Sequence, residues 1–161
     1  MVPVQRVVLD GLSKGIQQEL AAYVFYKRGI KITKSERVRE LLIKLAGEEK
    51  DHYRILEGQY DNLVRSEMWN TYTDVLRKPG LPDIDEKITD FQSVLIDEVS
   101  EPATPMRILE IGLTLEIAAR DLYVELAENI DDLKGKETYI YLSKFEQGHI
   151  NKIKRMMDEL E

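Results

Sequence analysis

Glu49 and His52 stand three residues apart, as do Glu146 and His149, and the chain has no other histidine. On a helix that spacing puts both side chains on one face about a turn apart, where carboxylate oxygen and imidazole nitrogen can grip one metal ion. A single Glu-x-x-His says little here. With 18 Glu in 161 residues, a given His finds Glu three positions upstream with a chance of about 11 %. Both histidines do so, for a joint chance of about 1 %.

An internal repeat supports the same residues independently. A shift of 97 positions carries Glu19 to Glu116, Ala21 and Ala22 to Ala118 and Ala119, Tyr26 to Tyr123, Glu49 to Glu146, and His52 to His149. Two similar helical hairpins about a pseudo-twofold axis would present two equivalent half-sites, with Glu19 and Glu116 adding one carboxylate each. Packing alone requires no such repeat. Four converging buried carboxylates lose their hydration, so they demand bound cations or a wet cavity. Two divalent ions balance four negative charges. Oxygen and imidazole donors without sulfur suit iron or manganese better than copper(I) or a structural zinc site.

The elements that must position these residues are helical throughout, because apolar residues recur at steps of three and four with no competing strict alternation. The first helix is expected from about Pro3 to about Ile30, ended with the help of Gly29, with the seam Leu12, Ile16, Glu19, Tyr23, Tyr26, Ile30. Ser35 can cap a second helix with the seam Val38, Leu42, Leu45, Glu49, His52, Leu56, Gln59, Leu63, extending to about Arg77. Pro79, Gly80, Leu81 and Pro82 break the chain, and Ile84 to Val99 reads as a shorter helix inside a long crossover. Thr104 and Pro105 start a third long helix with the seam Leu109, Leu113, Glu116, Arg120, Tyr123, Ala127. Asn129 to Lys136, with Gly135, is the next turn, and the last seam is Tyr139, Leu142, Glu146, His149, Ile153, Met156, Leu160. The expected fold is an all-α four-helix bundle with one insert, a single domain over residues 1–161.

Tyr26 and Tyr123 lie seven residues after the single glutamates, nearly the same face two turns on. Their hydroxyls can hydrogen-bond a ligand carboxylate or relay an electron, and packing alone explains them about as well. Arg120, one turn beyond Glu116, can offset negative charge at the site, although a surface ion pair is the commoner fate of such a residue. Met68, Trp69 and Tyr72 read as a core or dimer contact.

Composition bounds the rest. With no cysteine, disulfides, thiolate metal sites, iron–sulfur clusters and thiol nucleophiles are excluded. A formal net charge of −7 disfavours nucleic acid as a partner, since phosphate binding needs clustered Lys and Arg. No secretion signal opens the chain and no apolar run reaches membrane-spanning length, so a cytoplasmic protein with no membrane partner is expected.

At these residues the sequence resembles the ferritin-like di-iron carboxylate proteins, most closely the rubrerythrin-like branch. The family pattern of one Glu, then Glu-x-x-His, on successive long helices is met by Glu19, Glu49 with His52, Glu116, and Glu146 with His149. Glu19 to Tyr26, reading ELAAYVFY, also looks like the family's first-helix segment. Two departures stand out. Ala119 occupies the place of an additional rubrerythrin glutamate, and the four-cysteine rubredoxin domain is absent, so the ligand set is the six-residue one shared with bacterioferritin. The chain also ends at Glu161 without the short fifth helix of ferritin cages, which argues against mineral storage.

The resemblance implies two iron ions, with manganese an alternative, that are oxidised together while reducing hydrogen peroxide or dioxygen, a role in oxidative stress. It implies that Glu49 and Glu146 bridge both ions, that Glu19 and Glu116 are terminal ligands, and that each His completes one ion. An external donor such as a rubredoxin-like protein would supply electrons, and a homodimer is the expected assembly. Two other readings stay open: an iron-binding or ferroxidase storage protein without turnover, and a helical interaction module whose cluster is vestigial or structural.

Overall fold

The computed structural model describes residues 3–66, 68–69, 71–77 and 104–161, and all regular structure among them is helical. The helices are α1 (Pro3–Ile32), α2 (Glu36–Ser66), α3 (Tyr72–Arg77), α4 (Pro105–Glu128) and α5 (Leu133–Leu160). The expected helix Ile84 to Val99 lies outside the described residues.

Local chemistry sets the helix starts. Ser35 Oγ accepts from the Val38 N–H at 3.2 Å, satisfying one of the donors that an α-helix leaves free at its first turn. Thr104 Oγ1 accepts from the Arg107 N–H at 3.1 Å, and Pro105 follows at the position where a missing N–H costs nothing. Asp132 Oδ1 accepts from the N–H groups of Lys134 and Gly135.

Three boundaries differ from the sequence expectation. Gly29 does not end α1: the helix runs on to Ile32, and the glycine sits where a Cβ would stand 2.9 Å from Leu42 and 3.2 Å from Ile108. Gly135 likewise lies inside α5, where the Trp69 ring leaves no room for a side chain. Finally α2 stops at Ser66 instead of Arg77. The chain turns there so that Trp69, buried, meets Tyr139 edge-on, and α3 comes back until Val75 packs over Gly58. Trp69 is therefore a core residue, while Met68 is exposed.

Cross-helix neighbours fix the topology. Gly11 lies by Leu126 and Gly29 by Ile108, so α1 and α4 are antiparallel. Arg37 pairs with Glu159, and Gln59 donates to Thr138, so α2 and α5 are antiparallel as well. Within each hairpin the helices are also antiparallel, as Gly15 against Leu56 and Gly29 against Leu42 show for the first. Hence α2 and α4 run in the same direction. Among the described residues no helix is long and apolar enough to cross a membrane.

The core has two apolar parts. One contains Phe25, Leu42, Leu45, Ile108, Leu109 and Ile153; the other Leu12, Ile55, Leu56, Trp69, Tyr139 and Leu142. Along every long helix the glutamate of interest falls between residues of the first part and residues of the second. The seam of α4 is offset from the expected one: Gly112 and Ala119 are buried, whereas Leu113 and Arg120 are only half-buried.

Candidate metal centre

Glu19 on α1, Glu49 and His52 on α2, Glu116 on α4, and Glu146 and His149 on α5 meet in one layer between the two apolar parts. None of the six is more than 1 % exposed. Their donor atoms form two groups, Glu19–Glu49–His52–Glu146 and Glu49–Glu116–Glu146–His149, and within each group the atoms lie within 4.8 Å of one another. Each group could hold a metal ion. Glu49 and Glu146 belong to both.

The histidines face the layer through the same nitrogen. His52 Nδ1 lies 3.0 Å from Glu146 Oε1, 3.6 Å from Glu19 Oε1 and 3.8 Å from Glu49 Oε2. His149 Nδ1 lies 2.8 Å from Glu49 Oε1, 3.2 Å from Glu146 Oε2 and 3.3 Å from Glu116 Oε1. The two imidazoles are nearly parallel, with centroids 5.9 Å apart and 20° between planes.

Tyr26 and Tyr123 are completely buried and cross over between hairpins. The Tyr26 hydroxyl donates to Glu116 Oε1 and the Tyr123 hydroxyl to Glu19 Oε1, each at 2.5 Å. Sequence spacing put each tyrosine near the glutamate of its own helix; packing gives it the glutamate of the other. Glycines make this approach possible. A Cβ on Gly112 would stand 3.2 Å from the Tyr26 ring, and one on Gly15 would stand 3.2 Å from the Tyr123 ring. These glycines are themselves 97 positions apart, a repeat pair that sequence reasoning missed and the same shift would have found.

Burial and crowding divide the carboxyl groups. Burial, reinforced by the charges of Glu116, Glu146 and Glu19, pushes Glu49 well above the ordinary carboxylate range, and burial with the charges of Glu19 and Glu116 does the same to Glu146. Burial also opposes ionisation of Glu116, but its hydrogen bonds with Glu146 and His149 outweigh it and hold that carboxyl at about 2. At Glu19 burial is likewise outweighed, by the hydrogen bond with Glu49 and the charge of His52, and the pKa is lowered. His149 is disfavoured as a cation by burial, yet hydrogen bonds to Glu116 and Glu146 raise it to about 10. In the metal-free protein, then, the carboxyls that hold protons most strongly are the two common to both groups.

The donor set fits metal. Glu19 Oε2 is a buried oxygen with no hydrogen-bond partner among the described residues, and Glu49 Oε1 and Glu146 Oε2, which make no hydrogen bond either, share a single neighbour in His149 Nδ1 at 2.8 and 3.2 Å; one imidazole for so many buried carboxylate oxygens is an arrangement that further cations would relieve. Arg120 takes no part: its guanidinium binds Asp121 Oδ1 at 3.0 Å and Gln147 Oε1 at 2.8 Å, as a surface pair.

Comparison with known proteins adds the fold. The chain is similar to the solved structure of a hypothetical protein from Pyrococcus furiosus, with a TM-score of 0.65 and 20% sequence identity over 93% of this chain and 87% of that one. No family model and no curated protein matches.

Proposed function

We propose that the protein is a non-haem di-iron oxidoreductase of the ferritin-like, rubrerythrin-like kind, reducing hydrogen peroxide or dioxygen. The observation that carries this reading is the pair of four-donor groups sharing Glu49 and Glu146. Two neighbouring metal positions with two common carboxylates could together supply the two electrons of a peroxide reduction. The bound metals would supply the redox chemistry, each Fe(II) giving one electron so that hydrogen peroxide, with two protons, yields two waters. Manganese fits the same donors, and the metal is assigned to iron on the family resemblance.

The chain's own residues do the rest. Glu49 and Glu146, common to both groups, would hold both ions, as the family resemblance implies, and Glu19 with His52 and Glu116 with His149 would each complete one. Tyr123 donates to Glu19 Oε1, and Glu19 Oε2 is left without a hydrogen-bond partner among the described residues, so it is the oxygen available to a metal ion. Burial and the neighbouring carboxylate charges raise both tyrosine hydroxyls well above their usual range, so they stay protonated and go on donating. Because this sequence holds no cysteine with which to carry electrons, a rubredoxin-like protein or other external reductant would return them.

The test is metal content, followed by anaerobic Fe(II) loading and titration with hydrogen peroxide under ultraviolet-visible detection. Two irons per chain, stoichiometric oxidation, and repeated turnover on re-reduction are expected. Oxidation once without turnover would favour iron storage instead. Absence of metal, or unchanged binding by Glu49→Ala and His149→Ala, would remove the di-iron reading in favour of a helical interaction module.

A further inference from the structure

The two candidate metal positions have matching ligands but unlike surroundings. Glu48 is the point of difference. Its side chain is 20% exposed and its Oε2 lies 3.4 Å from His149 Nε2, the ring nitrogen turned away from the cluster. Glu48 Oε1 lies 3.8 Å from Lys152 Nζ, which sits one turn further along α5. The 97-residue shift places Phe145 where a second Glu48 would be. Phe145 meets the His52 ring edge-on, with centroids 4.6 Å apart at 87°. His52 Nε2 is buried with no hydrogen-bond partner among the described residues. In each half the residue just before the Glu of Glu-x-x-His therefore packs on the histidine of the other half, as a carboxylate on one side and as a phenyl ring on the other.

We propose that Glu48 is a positioning residue that makes the two metal positions unequal, so that the position of Glu49, Glu116, Glu146 and His149 fills first. The inference rests on the metal reading above. A carboxylate accepting from the outer ring N–H of a ligating histidine fixes the tautomer with the inner nitrogen free to bind, sets the ring's orientation and raises its basicity, and loss of such a partner typically costs 10–100-fold in metal affinity. His149 has that partner. The outer nitrogen of His52 has no hydrogen-bond partner among the described residues, and the ring is flanked edge-on by Phe145 and Tyr141, so on that side it is aligned by aromatic packing. Glu48 belongs to neither four-donor group and meets His149 at the outer nitrogen, so its effect on the site is exerted through the ring.

The test uses Zn(II), a diamagnetic probe, added stepwise to chelator-treated protein at fixed pH. Two readouts are taken: binding by calorimetry, and the long-range proton–nitrogen spectrum of the two histidines. For the parent, two unequal binding steps are expected. The first Zn(II) should shift the Nδ1 signal of one ring, identified as His149 by its loss in His149→Gln, and leave that ring's Nε2–H slow to exchange. Glu48→Ala should weaken the first step 10–100-fold so that the steps merge, and should speed exchange of that Nε2–H. Glu48→Gln keeps an acceptor oxygen and should restore the slow exchange and part of the difference, which a merely structural role would not do. Two equal steps in the parent, His52 filling first, or an unchanged first step in Glu48→Ala would overturn the proposal and leave the metal site standing. A parent that binds no Zn(II) overturns both.

Discussion

The polar layer and the apolar parts of the core on either side of it obey opposite rules. Around Leu142, Leu45 and Ile55, all completely buried, folding removes apolar surface from water, and every methylene contributes favourably. In the layer between them the same depth of burial works against six titratable groups, and the metal-free protein compensates only in part, by keeping protons on Glu49 and Glu146 and a charge on His149. The comparison teaches that depth alone does not identify what holds this bundle together. Stability resides in the two apolar parts, and the layer, whose Glu and His groups could hold a metal ion, opposes it in the metal-free protein.

The largest effects should separate the two regions by sign. Leu142→Ala removes a buried side chain and is expected to cost about 2–5 kcal/mol in denaturant unfolding, with metal stoichiometry unchanged once the variant is folded. Replacing Glu49 and Glu146 together by Met should do the reverse: metal binding is lost, and chelated protein is as stable as the parent or more stable by about 1–4 kcal/mol. If the double variant proved as destabilised as Leu142→Ala, the layer would be a structural network in its own right.

Next in size are the tyrosines that border the layer. Tyr26→Phe and Tyr123→Phe each remove one hydrogen bond to a buried carboxylate, with an expected cost of about 1.5–3 kcal/mol in the metal-free protein. Because the two bonds have the same length and are exchanged by the internal repeat, the two variants should agree within about 0.5 kcal/mol. A large difference in thermal or denaturant unfolding would show that the pseudo-twofold does not extend to energetics at this level.

The pH dependence sharpens the comparison further, since the most deeply buried carboxyl and imidazole groups all lie in the layer. His149 has a folded-state pKa of about 10 against an ordinary 6.5, so its contribution is complete below pH 6.5 and is lost as pH rises through about 10. Glu49 and Glu146, raised above 4.5, carry the same sign and lose their contribution as pH rises. Glu116, held at about 2, has the opposite sign and matters only as pH falls below 4.5. Chelated protein should therefore melt at progressively lower temperature from pH 6.5 to 10. Metal affinity should rise over the same window, since binding must displace those protons. A melting temperature that climbs with pH in chelated samples would mean that the layer is already open to water.

How much of this was legible in the sequence follows from what spacing encodes. The six clustered residues could be found because His is scarce and because periodicity and an internal repeat both select them; neither argument needs the third dimension. The layered core followed from the seams, apart from α4, where Ala119 and not Arg120 continues the buried face. The crossed pairing of Tyr26 with Glu116 and Tyr123 with Glu19 was not legible. A seven-residue spacing says which face of a helix a tyrosine shares with its own glutamate, and the packing of α1 on α4 decides which carboxylate the hydroxyl reaches. Glu48 was lost for another reason: among 18 Glu, one that lies beside the seam gives no signal until the ring behind it is placed. The end of α2 at Ser66 was hidden because helical periodicity continues through a segment that Trp69 folds back onto the core.

The smallest expected effect tests where the boundary of the layer lies. On sequence spacing Arg120 sits one turn beyond Glu116, close enough to act as a counter-charge to the carboxylates. In the structure its half-buried side chain ends in a guanidinium held by Asp121 and Gln147. Surface pairs of this kind contribute between 0 and about 1 kcal/mol, so Arg120→Ala should change unfolding free energy by under about 1 kcal/mol. It should leave metal affinity as it was at every pH from 6.5 to 10. Charge is the discriminating variable. If Arg120 did offset the cluster, its removal would push the Glu49 and Glu146 carboxyls still higher, and the pH at which metal binds would move up with them. A metal-binding pH profile that superimposes on the parent's places the limit of the layer at the six buried residues and their two tyrosines, with the α4 surface one turn away already belonging to solvent.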